Sequence, residues 1–156
     1  NKIRTKNQDA RTKKEPSWLL VLKSWIFRKE YMAKIVVAED DKLISSSLCD
    51  ALKTEGHEPT AAYDGQEALA KIIEVMPDIV LLDIMMPKMD GIAVLHEVRG
   101  NPTTAGIPVV VLTNIGDVET ISKIVEAGAA DYLLKSDQSV DDIIKKVKDV
   151  LARTIK

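Results

Sequence analysis

Cysteine occurs once in the 156 residues and histidine twice, as Cys49, His57 and His96. A lone thiol excludes an internal disulfide, and these three residues fall far short of the sulfur and imidazole clusters that bind zinc. A reducing cytoplasm is the expected compartment. Long hydrophobic runs are lacking as well. The apolar stretch Trp18 to Phe27 is interrupted by Lys23 and Ser24 and does not reach the about 20 residues that cross a bilayer. No small-residue cleavage site follows it, so neither a signal peptide nor a membrane span is expected. Aromatic residues make up only 4% of the chain. What is abundant is ordinary: 46% hydrophobic and 29% charged residues describe a globular protein, neither disordered nor collagen-like.

The formal net charge of −2 hides two unlike segments. Residues 1–31 hold nine Lys/Arg against Asp9, Glu15 and Glu30, a net +6, whereas the chain from Met32 onward holds thirteen basic and twenty-one acidic residues, a net −8. Aromatics divide at the same point. Trp18, Trp25, Phe27 and Tyr31 precede Met32, and only Tyr63 and Tyr132 follow it. The boundary therefore falls at Met32, giving a basic extension, 1–31, and a domain, 32–156, near the commonest single-domain size. Residues 1–16 read as a polar tail. Residues 17–31 suit a helix with Trp18, Leu22 and Trp25 on one face, which calls for a partner. A membrane surface would serve, but a linker or extension packed on its own domain or on a copy of it is the preferred reading. Whether the extension is a processed end or part of a longer protein stays open. A nucleic-acid partner is not expected for a domain of net −8.

From Met32 short β-branched runs alternate with helical periodicity, the pattern of a parallel sheet covered by helices. Strands are predicted over Lys34 to Ala38, Glu58 to Tyr63, Asp78 to Leu82, Ile107 to Leu112 and Asp131 to Leu134. Helices are predicted over Lys42 to Thr54, Gln66 to Val75, Ile92 to Val98, Val118 to Ala127 and Val140 to Ala152. The fold class is α/β, with five βα units and no internal repeat.

In open α/β sheets ligands bind beyond the carboxyl ends of the strands, and four of these strands end in polar residues. The first runs into Glu39-Asp40-Asp41, the third into Asp83, the fourth into Thr113 and the fifth into Lys135. Each alone has a bland explanation, since Asp and Thr cap helices and Lys is usually solvated. Together they place several carboxylates, a hydroxyl and an ammonium on one edge of one sheet. Carboxylates from the first and third strands repel unless a cation lies between them, and hard oxygen ligands without His or Cys select magnesium, or manganese. Magnesium with few protein ligands retains positions for phosphate oxygens. Lys135 and Thr113 suit the same phosphate, and a carboxylate can itself be the phosphoryl acceptor.

At this point the chain resembles the response-regulator receiver domains of two-component signalling systems over residues 33 to about 152. The resemblance rests on Ile35-Val36-Val37-Ala38-Glu39-Asp40-Asp41, on Val80 through Asp83 to Met85-Met86-Pro87-Lys88-Met89-Asp90-Gly91, on Val109-Val110-Val111-Leu112-Thr113, and on Gly128 through Tyr132 to Lys135. It implies a doubly wound, five-stranded parallel sheet of order 2-1-3-4-5 with five helices, to which the N-terminal extension is added. By position, Asp83 matches the phospho-acceptor, Asp40 the main metal carboxylate, and Glu39 an acidic neighbour that contacts metal-bound water. The resemblance further implies a metal ligand in the Met85 carbonyl, phosphoryl contacts from Lys135 and Thr113, and an aromatic switch in Tyr132. Asp41 is expected to cap a helix. The implied partners are a sensor histidine kinase or phosphotransfer protein and a downstream target protein. A homodimer is compatible but not indicated. Such a domain catalyses its own aspartyl phosphorylation and dephosphorylation, and phosphate shifts a surface made by the domain's fourth helix, fifth strand and fifth helix.

Two positions depart from the family pattern. Ser136 stands where proline usually follows the lysine in a cis peptide, which leaves the backbone there and the reach of Lys135 open. Asn114 stands where a smaller residue is commoner and, with Ile115 and Met85, is expected to tune the phosphoryl lifetime. A non-phosphorylated pseudo-receiver acting as an interaction scaffold is the alternative if the Ser136 loop misplaces Lys135. Cys49 is expected to be buried, and His57 and His96 to lie in surface or core positions. Only 21 residues follow Lys135, so a stand-alone receiver is the expectation.

Overall fold

The computed structural model describes residues 15–154, and the side chains among them except those of residues 24–30. Two units separate in it, Asn1–Tyr31 and Met32–Lys156. In the first, α1 spans Ser17–Glu30 and begins at Pro16 without a side-chain cap. Lys23 pairs with Glu15 at 2.8 Å, and Trp18 and Leu22 are exposed. The tail expected over residues 1–14 and the side chain of Trp25 lie outside the described residues.

In the second unit the β-branched runs form β1 (Lys34–Ala38), β2 (Glu58–Ala62), β3 (Ile79–Asp83), β4 (Val109–Thr113) and β5 (Asp131–Leu134). All neighbours are parallel and the order is β2-β1-β3-β4-β5. The helices between and after them are α2 (Lys42–Thr54), α3 (Gly65–Val75), α4 (Gly91–Gly100), α5 (Val118–Glu126) and α6 (Val140–Thr154), with one 3-10 turn over Lys135–Asp137. Successive strand residues point to opposite faces, so β1 sends Val36 and Ala38 into one core layer and Ile35 and Val37 into another. The first layer packs against Ala68, Ile72, Val94, Leu95 and Ile124 of α3, α4 and α5, the second against Leu48, Leu52, Val147 and Val150 of α2 and α6. Because β1, β3 and β4 are covered on both sides, they read as continuous apolar runs rather than alternating ones. Each fully buried Val, Ile or Leu contributes roughly 2 kcal/mol. Pro59, which has no N–H to give a ladder, sits in the edge strand β2.

The strand ends differ slightly from expectation, and the differences bear on the site. β3 and β4 each run one residue further than predicted, because Asp83 still pairs with Leu112 and Thr113 with Leu134 in the ladders. Asp83 and Thr113 are therefore held by sheet hydrogen bonding rather than by loops. β2 stops one residue short, before Tyr63.

Helix starts account for most of the acidic residues at this edge. Asp41, Asp64, Asp90 and Asp117 each accept a backbone N–H in the first turn of α2, α3, α4 and α5. Ser139 and Asp142 exchange hydrogen bonds at the start of α6 in a capping box. The expected cap at Asp41 is thus present. Cys49 differs from expectation: it is half-buried, packed against the α2/α6 layer, and burial pushes its thiol pKa up. His96 is exposed on α4.

Candidate functional site

Besides the caps, the carboxyl edge of the sheet carries a cluster of three acidic residues, Glu39, Asp40 and Asp83. One carboxylate oxygen from each lies within 4.8 Å of the others. Glu39 and Asp83 are 1% and 4% exposed, whereas Asp40 is exposed, so the cluster opens to solvent on its Asp40 side. Parallel pairing of β1 with β3 places these residues on adjacent strands.

Lys135, at the end of β5, reaches this cluster. Its Nζ lies 2.9 Å from Asp83 Oδ2 and also donates to Glu39 Oε2. Asp83 Oδ1 accepts the Met85 N–H at 3.3 Å, and Glu39 Oε1 accepts the Asp41 N–H at 3.1 Å. Burial is the main influence on Glu39 and raises its pKa, with the Lys135 hydrogen bond working against it and the Asp83 charge adding to it. Burial also opposes the Lys135 charge, but hydrogen bonds to Glu39 and Asp83 together prevail and hold the ammonium above the ordinary lysine value. The peptide joining Lys135 to Ser136 is trans, and the reach that Ser136 put in question is intact.

The loop from β3 to α4 packs closely against the backbone of Asp83. Gly91 N–H donates to the Ile84 carbonyl at 2.9 Å, and a Cβ on Gly91 would stand 2.2 Å from the Asp83 carbonyl oxygen. Lys88 adopts a left-handed φ of 67° and pairs with the cap Asp64 at 3.1 Å. The Met85 side chain is exposed, as are Asn114 and Ile115.

The structure thus brings Glu39, Asp40, Asp83 and Lys135 together, while Thr113 and Tyr132, for which the resemblance implies a switch role, make other contacts. The Thr113 hydroxyl is buried, accepts the Ile115 N–H at 3.0 Å and donates to the Ile115 carbonyl at 3.4 Å. Tyr132 is half-buried against the core layer of α3, α4 and α5. The Glu39–Lys135 ion pair was not foreseen. Its signal was available in the opposite charges at the ends of the first and fifth strands, but the two are 96 positions apart.

A divalent cation fits this donor set. Three convergent carboxylates with no sulfur or imidazole among them are hard oxygen ligands of the kind magnesium takes, and one exposed side leaves room for water or phosphate oxygens. Among the described residues no helix is long and apolar enough to cross a membrane.

Comparison with known proteins agrees with this geometry. The sequence pattern of the response regulator receiver domain matches residues 35–148. The chain is 34% identical over 123 residues to the DNA-binding dual master transcriptional regulator RpaA of Synechocystis sp., covering 79% of this chain and 51% of that protein. It spans about half the length of the curated relatives it matches. The receiver domain of the Francisella response regulator 1452 superposes with a TM-score of 0.72 at 34% identity, covering 78% of this chain and 98% of that one. A CheY-like receiver domain protein from Methanospirillum hungatei superposes with a TM-score of 0.74 at 27% identity, covering 80% and 97%. With the strand order, the acidic cluster and the lysine in place, the chain belongs to the response regulator receiver domain family of two-component signalling.

Proposed function

We propose that Asp83 accepts a phosphoryl group from the phosphohistidine of a sensor kinase or phosphotransfer protein, or from a small donor such as acetyl phosphate. The observation that carries this reading is the 2.9 Å contact of Lys135 Nζ with Asp83 Oδ2 inside a three-carboxylate cluster. Glu39, Asp40 and Asp83, with the Met85 carbonyl, would hold Mg2+ or Mn2+. The bound ion supplies positive charge for the transferring phosphoryl oxygens.

The chain's own residues do the rest. Sheet pairing holds the Asp83 carboxylate at the strand end, poised to attack phosphorus while the phosphorus–nitrogen bond of the donor breaks and its histidine leaves. Lys135 offers its ammonium to the oxygens that gain charge. Water later cleaves the acyl phosphate, releasing inorganic phosphate and restoring the carboxylate. The Thr113 hydroxyl exchanges its Ile115 contacts for the new phosphate oxygens, and Tyr132 responds, biasing the surface of α5, β5 and α6.

Exposed apolar side chains at the first turns of α2 and α5, Leu43 and Val118, offer contact area to the donor protein and to a target. A cytoplasmic setting accords with this chemistry. The scaffold-only alternative drew on a misplaced Lys135 and has no observation in its favour.

The test is intact mass after incubation with acetyl phosphate and Mg2+, and separately with a phosphohistidine donor. Wild type gains one phosphoryl group, while Asp83→Asn and a metal-free control gain none. Absence of any gain from both donors overturns the reading.

A further inference from the structure

By resemblance Glu39 contacts metal-bound water, and here its carboxylate also shares the Lys135 ammonium with Asp83. We infer that Glu39 is a positioning residue for Lys135. From the end of β1 it holds the ammonium on the carboxylate cluster, and a divalent cation in the cluster takes the Glu39 carboxylate from the lysine and leaves the ammonium to Asp83. This rests on the proposed reading of the cluster as a divalent-cation site.

Three observations lead here. First, both Glu39 oxygens are already engaged: Oε1 accepts the Asp41 N–H at 3.1 Å and Oε2 accepts from Lys135. With the side chain 1% exposed, no solvent shell stands ready to replace either bond. A cation entering the cluster therefore competes with an existing donor for a Glu39 lone pair. Second, that cation and the ammonium share carboxylates whose oxygens lie within 4.8 Å of one another, so the two positive charges oppose each other. Antagonism between metal and lysine at Glu39 is built into the cluster.

Third, the contact depends on length. β3 and β4 lie between β1 and β5, and three strand spacings amount to roughly 14 Å, which only two long side chains reaching toward each other can close. Shortening Glu39 by one methylene withdraws its carboxylate by about 1.5 Å and still leaves a carboxylate at the end of β1. Glutamate at this position thus does something aspartate cannot: it spans to the lysine strand.

The experiment follows the Lys135 ammonium by nitrogen-15 NMR in the full chain, with Mg2+ binding read from the amide signals of residues 39–41 and 83–85. In wild type without Mg2+ the Lys135 ammonium signal exchanges slowly with solvent, and its exchange quickens as Mg2+ saturates. In Glu39→Asp it is fast at the outset, and Mg2+ affinity rises about fivefold or more, the lower end of ordinary site-to-site coupling. Lys135→Gln tightens Mg2+ binding in the wild-type background and does so much less in Glu39→Asp. Glu39→Gln keeps the side-chain length and an acceptor oxygen and stands in if the aspartate variant is unstable. It retains slow exchange while losing the Mg2+ dependence of that exchange. An unchanged Lys135 signal in Glu39→Asp, or an equal effect of Lys135→Gln in both backgrounds, overturns this inference alone. Failure of Mg2+ to bind overturns it together with the proposed function.

Discussion

His57 shows how one side chain can tie stability to pH. Its Nδ1 accepts the buried Ala33 N–H at 3.3 Å, which requires that nitrogen to carry no proton. Burial is the main cause that pushes its pKa below the ordinary imidazole value; Lys148 acts in the same direction, while Glu55 and Asp78 oppose it. The folded state therefore prefers neutral histidine, and the unfolded chain binds the proton more readily. The contribution is complete above the ordinary value of about 6.5 and is lost as pH falls toward the depressed folded value. Urea unfolding at stepped pH checks this: wild type loses stability between about pH 7 and 5, and His57→Gln flattens that slope. Residue chemistry was legible in sequence wherever one side chain acts on its own neighbourhood. Asp41 is a cap, and Asp83 is the polar residue into which an apolar strand runs. Contacts across the sheet, such as His57 with Ala33 or Glu39 with Lys135, depend on which strand ends the fold makes neighbours.

At the scale of elements, the join between β3 and α4 leaves no room for a side chain at Gly91. The space a Gly91 side chain would need is filled by the Asp83 carbonyl oxygen and the Ile84 Cα, at 2.2 and 2.8 Å from a built Cβ. Backbone cannot swing aside as a side-chain tip can, so Gly91→Ala forces the strand end and the helix start apart. The expected cost is about 3 kcal/mol, at the upper end for overpacking, read as a lower urea midpoint. Because the displaced backbone belongs to Asp83, slower phosphorylation by acetyl phosphate accompanies it. Element positions came readily from hydrophobic period, and α2, β1 and β5 have their predicted limits. The one-residue extensions of β3 and β4 did not, because a polar residue at a strand end pairs in the ladder as well as an apolar one does. The 3-10 turn at Lys135–Asp137 has no signature of its own in three residues.

For the whole molecule, charge is the governing quantity. The domain carries net −8 by sequence, and three of its carboxylates converge. A ligand that binds the folded state alone stabilises it, so Mg2+ at ten times its dissociation constant adds about 1.4 kcal/mol, worth roughly 5 °C in Tm for a domain of this size. Thermal melts with and without Mg2+ should show that rise in wild type and not in Asp40→Asn. The sheet's direction has a further consequence. All five strands point the same way, and α6, about 22 Å long, runs back from the carboxylate edge. Ala33 and Thr154 are therefore both brought to the far edge, like two leads leaving the back of one socket. Within this unit both ends of the fold thus stand at the edge opposite Asp83, away from the carboxylate cluster.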